Sequence, residues 1–151
     1  MKGLGAILVF VSIPLLLQSG QPTQPAMTAS FEHVAFNVAD AAAVTKWYVD
    51  NMGMKVPKAG FVSDAAGRMM FEIYHKTDAK VMDLKQIDPN SFHIAFETSN
   101  IQPMIDKLVK AGATVAKPLS GSDTGDSVVT LRDPWGLPIQ LVKRAKPLLT
   151  R

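Results

Sequence analysis

Phe31-Glu32-His33-Val34-Ala35-Phe36 returns as Ser91-Phe92-His93-Ile94-Ala95-Phe96, sixty residues further along the chain. Each copy opens a stretch with the same running order, so the sequence reads as an internal duplication, in which pseudo-symmetry can bring matched histidines together. In the first copy, alternation sets His33, Ala35 and Asn37 on one face of a strand over 31–38 and Val34, Phe36 and Val38 on the other. Asp40 can cap a helix over 41–52, and Gly53 stands just past its end. Trp47 and Tyr48 pack that helix on the sheet. Further strands are expected over 54–58, 68–75 and 80–87, with turns at Ala66-Gly67 and Thr77-Asp78 and a linker Asp88-Pro-Asn-Ser.

The second copy repeats the order. A strand over 92–98 leads to Asn100 as a cap and a helix over 101–111, with Pro103 tolerated in its first turn and Gly112 after its end. A strand over 114–117 precedes a flexible loop, Ser120-Gly-Ser-Asp-Thr-Gly. The last two strands, 127–132 and 137–143, are joined by the tight turn Asp133-Pro-Trp-Gly136. The expected fold is α+β: two βαβββ modules, repeat one over 31–88 and repeat two over 91–145, forming a curled sheet around a cleft.

Residues 1–30 read differently. Lys2, an apolar run over 4–17 and the polar exit Gln18-Ser-Gly-Gln-Pro fit a secretory signal peptide and linker. The run is short for a membrane helix, which needs roughly twenty apolar residues. The expectation is a protein exported to the periplasm or the exterior, with no stable membrane span after processing and one domain over 31–151. With no Cys, disulfides, thiolate ligands and a Cys nucleophile are excluded, and packing alone must hold the fold. The net charge is +3, and the basic residues are scattered apart from Lys143-Arg144-Ala-Lys146, so nucleic acid is not an expected partner.

The chemistry lies in the matched strands. Each copy offers a His at its first strand and one polar side chain in its last: Asp83 in Val81-Met-Asp-Leu, fifty residues after His33, and Gln140 in Pro138-Ile-Gln-Leu, forty-seven after His93. Two imidazoles with one or two oxygen donors suit a divalent ion such as Zn, Ni, Mn or Fe(II). Asn37 and Glu97 each lie four residues beyond a histidine on the same face, where they would line the cleft near substrate. His75 reads as an exposed strand-end residue. Met69, Phe71, Ile73 and Trp135 are cleft-lining candidates that core packing explains as well.

The repeated layout, the two His strands and the closing Arg132-Asp-Pro-Trp-Gly-Leu-Pro-Ile-Gln-Leu141 resemble the vicinal oxygen chelate superfamily. That group includes glyoxalase I, bleomycin-resistance proteins, extradiol dioxygenases and methylmalonyl-CoA epimerase. The resemblance covers 31–145. It implies one metal ligand from each first and each last strand, hence His33, Asp83, His93 and Gln140, with a homodimer that often completes the cleft across chains. Two positions depart from the pattern: Gln140 stands where Glu is usual, and Asp83 is shorter than the usual Glu. A neutral amide adds no charge to the ion and takes no proton near neutral pH, which leaves Asp83 as the implied catalytic base.

The implied function is a divalent-metal-dependent lyase, isomerase or epimerase acting on a small oxygen-chelating substrate. Dioxygenase activity is disfavoured because its carboxylate would come from the Gln140 position. The alternative is a sequestering, resistance-type binder of a small molecule.

Overall fold

The computed structural model describes residues 29–148; apart from Ala29 and Ser30, the expected signal peptide and linker lie outside the described residues. The first module runs β1 (His33–Asn37), α1 (Ala41–Met52), β2 (Lys55–Lys58), β3 (Phe61–Ser63) and β4 (Met70–Tyr74). The second runs β5 (Ile94–Glu97), α2 (Ile101–Lys110), β6 (Thr114–Gly121), β7 (Ser127–Arg132) and β8 (Pro138–Lys143). Each module folds into its own four-stranded sheet, β1-β4-β3-β2 and β5-β8-β7-β6, with one parallel pair (β1 with β4, β5 with β8) and the rest antiparallel. The βαβββ order is therefore present twice, as the repeat predicts.

The local causes are visible in the caps. Asp40 starts α1 by accepting a hydrogen bond from Ala43 N–H at 2.9 Å, and Gly53 ends it in the left-handed conformation at φ 68°. Asn100 precedes α2 but makes no side-chain cap bond. That helix is held by the burial of Ile101, Ile105 and Leu108, three residues at helical spacing.

Two strand assignments need correction. The sequence hides β3 in Phe61-Val-Ser, which is too short to show alternation and is bounded by Gly60 and Asp64. Counting it makes 70–74 the fourth strand, and the expected strand over 80–87 becomes surplus. That segment is instead a linker with one 3-10 turn at Leu84–Gln86. Arg132 holds its carbonyls, donating from Nη1 to Leu84 O (3.2 Å) and from Nη2 to Ile87 O (2.6 Å), so they are not offered to a sheet. In the second module β6 continues to Gly121, through the start of the segment expected to be a flexible loop.

The modules share one core. Phe36, Tyr48 and Phe71 stack edge to face, and Phe71 of the first sheet meets Phe96 of the second at 6.0 Å. Trp47 Nε1 donates to Ala111 O (2.8 Å), and Tyr48 OH donates to Asp133 Oδ2 (2.9 Å), so α1 is bonded to the second module by both of its large aromatics.

Asp133 is 5 % exposed and organises the β7–β8 turn: its Oδ1 also accepts from Trp135 N–H and Leu137 N–H at 3.0 and 2.8 Å. Burial pushes its carboxyl above the ordinary Asp value, against the hydrogen bonds that favour the charged form. Burial, then the Asp133 charge and hydrogen bond, push the Tyr48 hydroxyl well above its usual value. No buried side-chain polar atom among the described residues lacks a hydrogen-bond partner.

Candidate functional site

Register decides which side chains can meet. In the first sheet His33 pairs with Met70, Ala35 with Glu72 and Asn37 with Tyr74, so all six share a face. The opposite face carries Val34, Phe36, Phe71 and Ile73 into the core, where Tyr48 of α1 touches Phe71 at 5.3 Å. On the polar face Glu72 Oε2 lies 3.5 Å from His33 Nε2, with the two side chains 35 % and 33 % exposed. The other ring nitrogen, Nδ1, is hydrogen-bonded to the Glu32 carboxylate. Phe61 supports the imidazole edge to face at 5.7 Å.

The second sheet repeats the construction. Ala95 pairs with Gln140 as Ala35 pairs with Glu72, which makes Glu72 the structural twin of Gln140. Gln140 Nε2 donates to Thr130 Oγ1 at 3.4 Å, an orientation that leaves Oε1 as its acceptor. His93 stands immediately before β5, exposed, with Nδ1 2.8 Å from Pro89 O. A carbonyl accepts only from N–H, so Nδ1 carries a proton and Nε2 is the nitrogen left with a lone pair when the ring is neutral.

Asp83 does not belong to this geometry. It caps the 3-10 turn, accepting from Lys85 N–H at 3.1 Å, on an exposed linker rather than a central strand. The carboxylate that shares the His33 face of the sheet is that of Glu72, thirty-nine residues after His33. The signal that could have found it is the triplet Phe71-Glu-Ile, which matches Ile139-Gln-Leu as an apolar-polar-apolar core strand. Asn37 is committed to the loop beyond β4: its Nδ2 donates to Lys76 O and Ala79 O at 3.2 and 3.0 Å, and its Oδ1 accepts from Lys76 N–H at 2.8 Å. His75 Nδ1 lies 2.9 Å from Val38 O. Phe71 and Ile73 are core, at 0 % and 2 % exposure.

Glu97 lines a groove of about 900 Å³ between the modules, with Met52, Met69, Met104, Phe96 and Arg68 among its other walls. Thioether side chains give such a wall an adaptable apolar surface. Among the described residues no three His, Asp or Glu side chains are placed to hold a metal ion together, so His33 with Glu72 in the first module and His93 with Gln140 in the second are two separate candidate half-sites within one chain.

A sequence model of the Glyoxalase/Bleomycin resistance protein/Dioxygenase superfamily matches residues 30–141. The chain belongs to this superfamily. The fold agrees. A glyoxalase family protein from Bacillus cereus superposes with a TM-score of 0.62 at 12% identity, covering 83% of this chain and 99% of that one. An antibiotic binding protein from Streptomyces superposes at 0.57 with 15% identity, covering 80% and 99%. A glyoxalase/bleomycin resistance protein from Albidiferax ferrireducens gives 0.56 with 20% identity, covering 76% and 98%. No curated protein matches the sequence.

Superfamily members usually bind a divalent ion. The spacing of one donor pair here is compatible with one. Two ligands at roughly 2.0–2.2 Å from a common ion in tetrahedral geometry stand about 3.4 Å apart, against 3.5 Å between His33 Nε2 and Glu72 Oε2. In both candidate half-sites Nδ1 is engaged by an acceptor, so Nε2 is the nitrogen that an ion would use, the arrangement usual for metal-bound histidines.

Proposed function

We propose that this superfamily member is a divalent-metal-dependent enzyme acting on a small, oxygen-chelating carbonyl substrate by lyase, isomerase or epimerase chemistry. The observation that carries the reading is the twin placement of Glu72 and Gln140 beside the two histidine strands. His33, Glu72, His93 and Gln140 would hold the ion. When bound, the ion would act as a Lewis acid on neighbouring substrate oxygens and offset the negative charge left by proton removal. Glu72 is the base: its carboxylate takes the proton alpha to the carbonyl and can return it to either face or to the neighbouring carbon. Gln140 offers an oxygen without charge and cannot exchange a proton near neutral pH, so proton traffic falls to one side of the site.

A homodimer is part of the reading. Each sheet ends on a strand, β1 or β5, with no strand neighbour on its outer edge among the described residues, and each of those edges lies beside a half-site. Free edges invite pairing, and a second copy would bring the first half-site of one chain to the second half-site of the other. Export is proposed from the apolar run over 4–17; N-terminal sequencing of the mature protein that begins at Met1 would refute it.

The enzyme reading is tested by the metal content of untagged protein and by thermal stabilisation with Ni, Zn or Mn. Stoichiometric metal lost in Glu72→Ala and His33→Ala is expected. Wild type that carries none and gains no stability removes the reading. A second reading is a sequestering, resistance-type binder, favoured by the uncharged Gln140 and by the groove between the modules; an antibiotic binding protein shares the fold. It predicts ligand binding to metal-free protein without turnover.

A further inference from the structure

The Nδ1 atoms of the two histidines are engaged by different acceptors, and the difference points to a role for a residue outside the ligand set. In the second copy Pro89 O engages His93 Nδ1, and the position before the histidine is Phe92. In the first copy the position before the histidine is Glu32, and its carboxylate engages His33 Nδ1. Neighbouring residues of a strand point to opposite faces, so Glu32 could not reach the ring if both belonged to β1. The strand begins at His33, and Glu32 lies outside it, free to fold back. The Glu32 side chain is 65 % exposed, so its presence is not explained by core packing. Its partner is the ring whose other nitrogen faces Glu72.

We propose that Glu32 is a positioning residue for His33. It accepts the Nδ1 proton, fixes the ring against rotation and holds the tautomer in which Nε2, beside Glu72, carries the lone pair that binds a divalent ion. This rests on the metal reading above. A carboxylate behind a ligating imidazole orients it and raises its basicity, and loss of such a partner typically weakens metal binding roughly 10–100-fold. A charged acceptor does this more strongly than a carbonyl, so His33 is the stronger of the two imidazole ligands.

The test uses the full chain, metal-free, with cobalt(II) as the probe. Long-range proton–nitrogen NMR at a pH where the ring is neutral reports the His33 tautomer, its signals assigned by their loss in His33→Ala. Wild type is expected to hold the Nδ1–H form. Glu32→Ala should shift the ring toward Nε2–H and weaken cobalt binding about 10–100-fold. Glu32→Gln, whose amide oxygen still accepts the Nδ1 proton, should restore the tautomer and part of the affinity. If wild type binds cobalt, His33→Ala abolishes binding and Glu32→Ala matches wild type, the role of Glu32 is overturned while the metal reading stands. If wild type binds no cobalt, the metal reading falls, and the Glu32 proposal, which depends on it, falls too. An unchanged tautomer in Glu32→Ala overturns the proposal whatever the metal data show.

Discussion

At the scale of single residues, Glu72 and Asp83 are the decisive comparison. Both are acidic residues downstream of His33, but only Glu72 sits on the histidine's face of the sheet, while Asp83 spends its carboxylate on a turn. Glu72→Ala is therefore expected to abolish stoichiometric metal binding. Asp83→Ala should leave it intact and cost about 0.5–2 kcal/mol of stability, the range for losing a capping carboxylate; equal losses of metal in both variants would contradict the assignment. Gln140→Glu replaces a neutral donor by a charged one and should tighten the metal, read by titration against a competing chelator. The histidines were legible in the sequence because they sit inside a repeated phrase. Glu72 was legible only through the match of Phe71-Glu-Ile to Ile139-Gln-Leu, because the pairing of its strand with β1 is a long-range fact that no local pattern carries.

At the scale of elements, the β7–β8 turn fixes how the second module meets the first. Tyr48→Phe removes the donor to Asp133 Oδ2 and should destabilise the protein by about 1–3 kcal/mol near neutral pH, measured by denaturant unfolding. The pH dependence has a definite sign. The Tyr48 hydroxyl is raised above its usual 10.0, so above that pH the unfolded chain loses a proton that the folded chain keeps. Stability contributed by this group is complete below 10 and declines as pH climbs toward the folded value. Wild type should lose stability relative to Tyr48→Phe in that alkaline window; parallel curves would refute the link.

Gly136 belongs to the same turn. At φ 102° a side chain is strained, and a Cβ there would stand 2.8 Å from Lys85 N and 2.9 Å from its Cα. Gly136→Ala should cost at least about 1–3 kcal/mol from the backbone conformation alone, and a thermal shift near zero would show that the linker yields. The turn's sequence, Asp133-Pro-Trp-Gly, announced it plainly, whereas the linker's carbonyl bonds to Arg132 could not be read from 80–87, whose alternation looks like a strand. Both helices were legible for a physical reason: their apolar spacing and flanking Asp40, Gly53 and Gly112 are local signals. The three-residue β3 was not, since its pairing with β2 and β4, rather than its own composition, makes it a strand.

At the scale of the whole molecule, the duplication explains both the symmetry of the half-sites and their separation. The first module carries His33 and Glu72, and the second Gln140, on the face opposite the shared apolar core, because the core claims the Phe71 and Phe96 faces of the two sheets. On the proposed reading one chain holds two incomplete sites, and two chains related by a two-fold axis would complete both. This arrangement makes a prediction that neither variant makes alone. His33→Ala and His93→Ala homodimers should each bind divalent metal poorly, since every site lacks one imidazole. Unfolded together and refolded as a mixture, they should form heterodimers in which one site inherits both lesions and the other is wild type. Metal binding should return to the mixed sample in proportion to the heterodimer fraction, measured by cobalt titration alongside light scattering. If each chain instead closed its own site, mixing would restore nothing, because every site would still carry one substitution. A monomeric mass for the wild-type protein would remove the shared-site model directly.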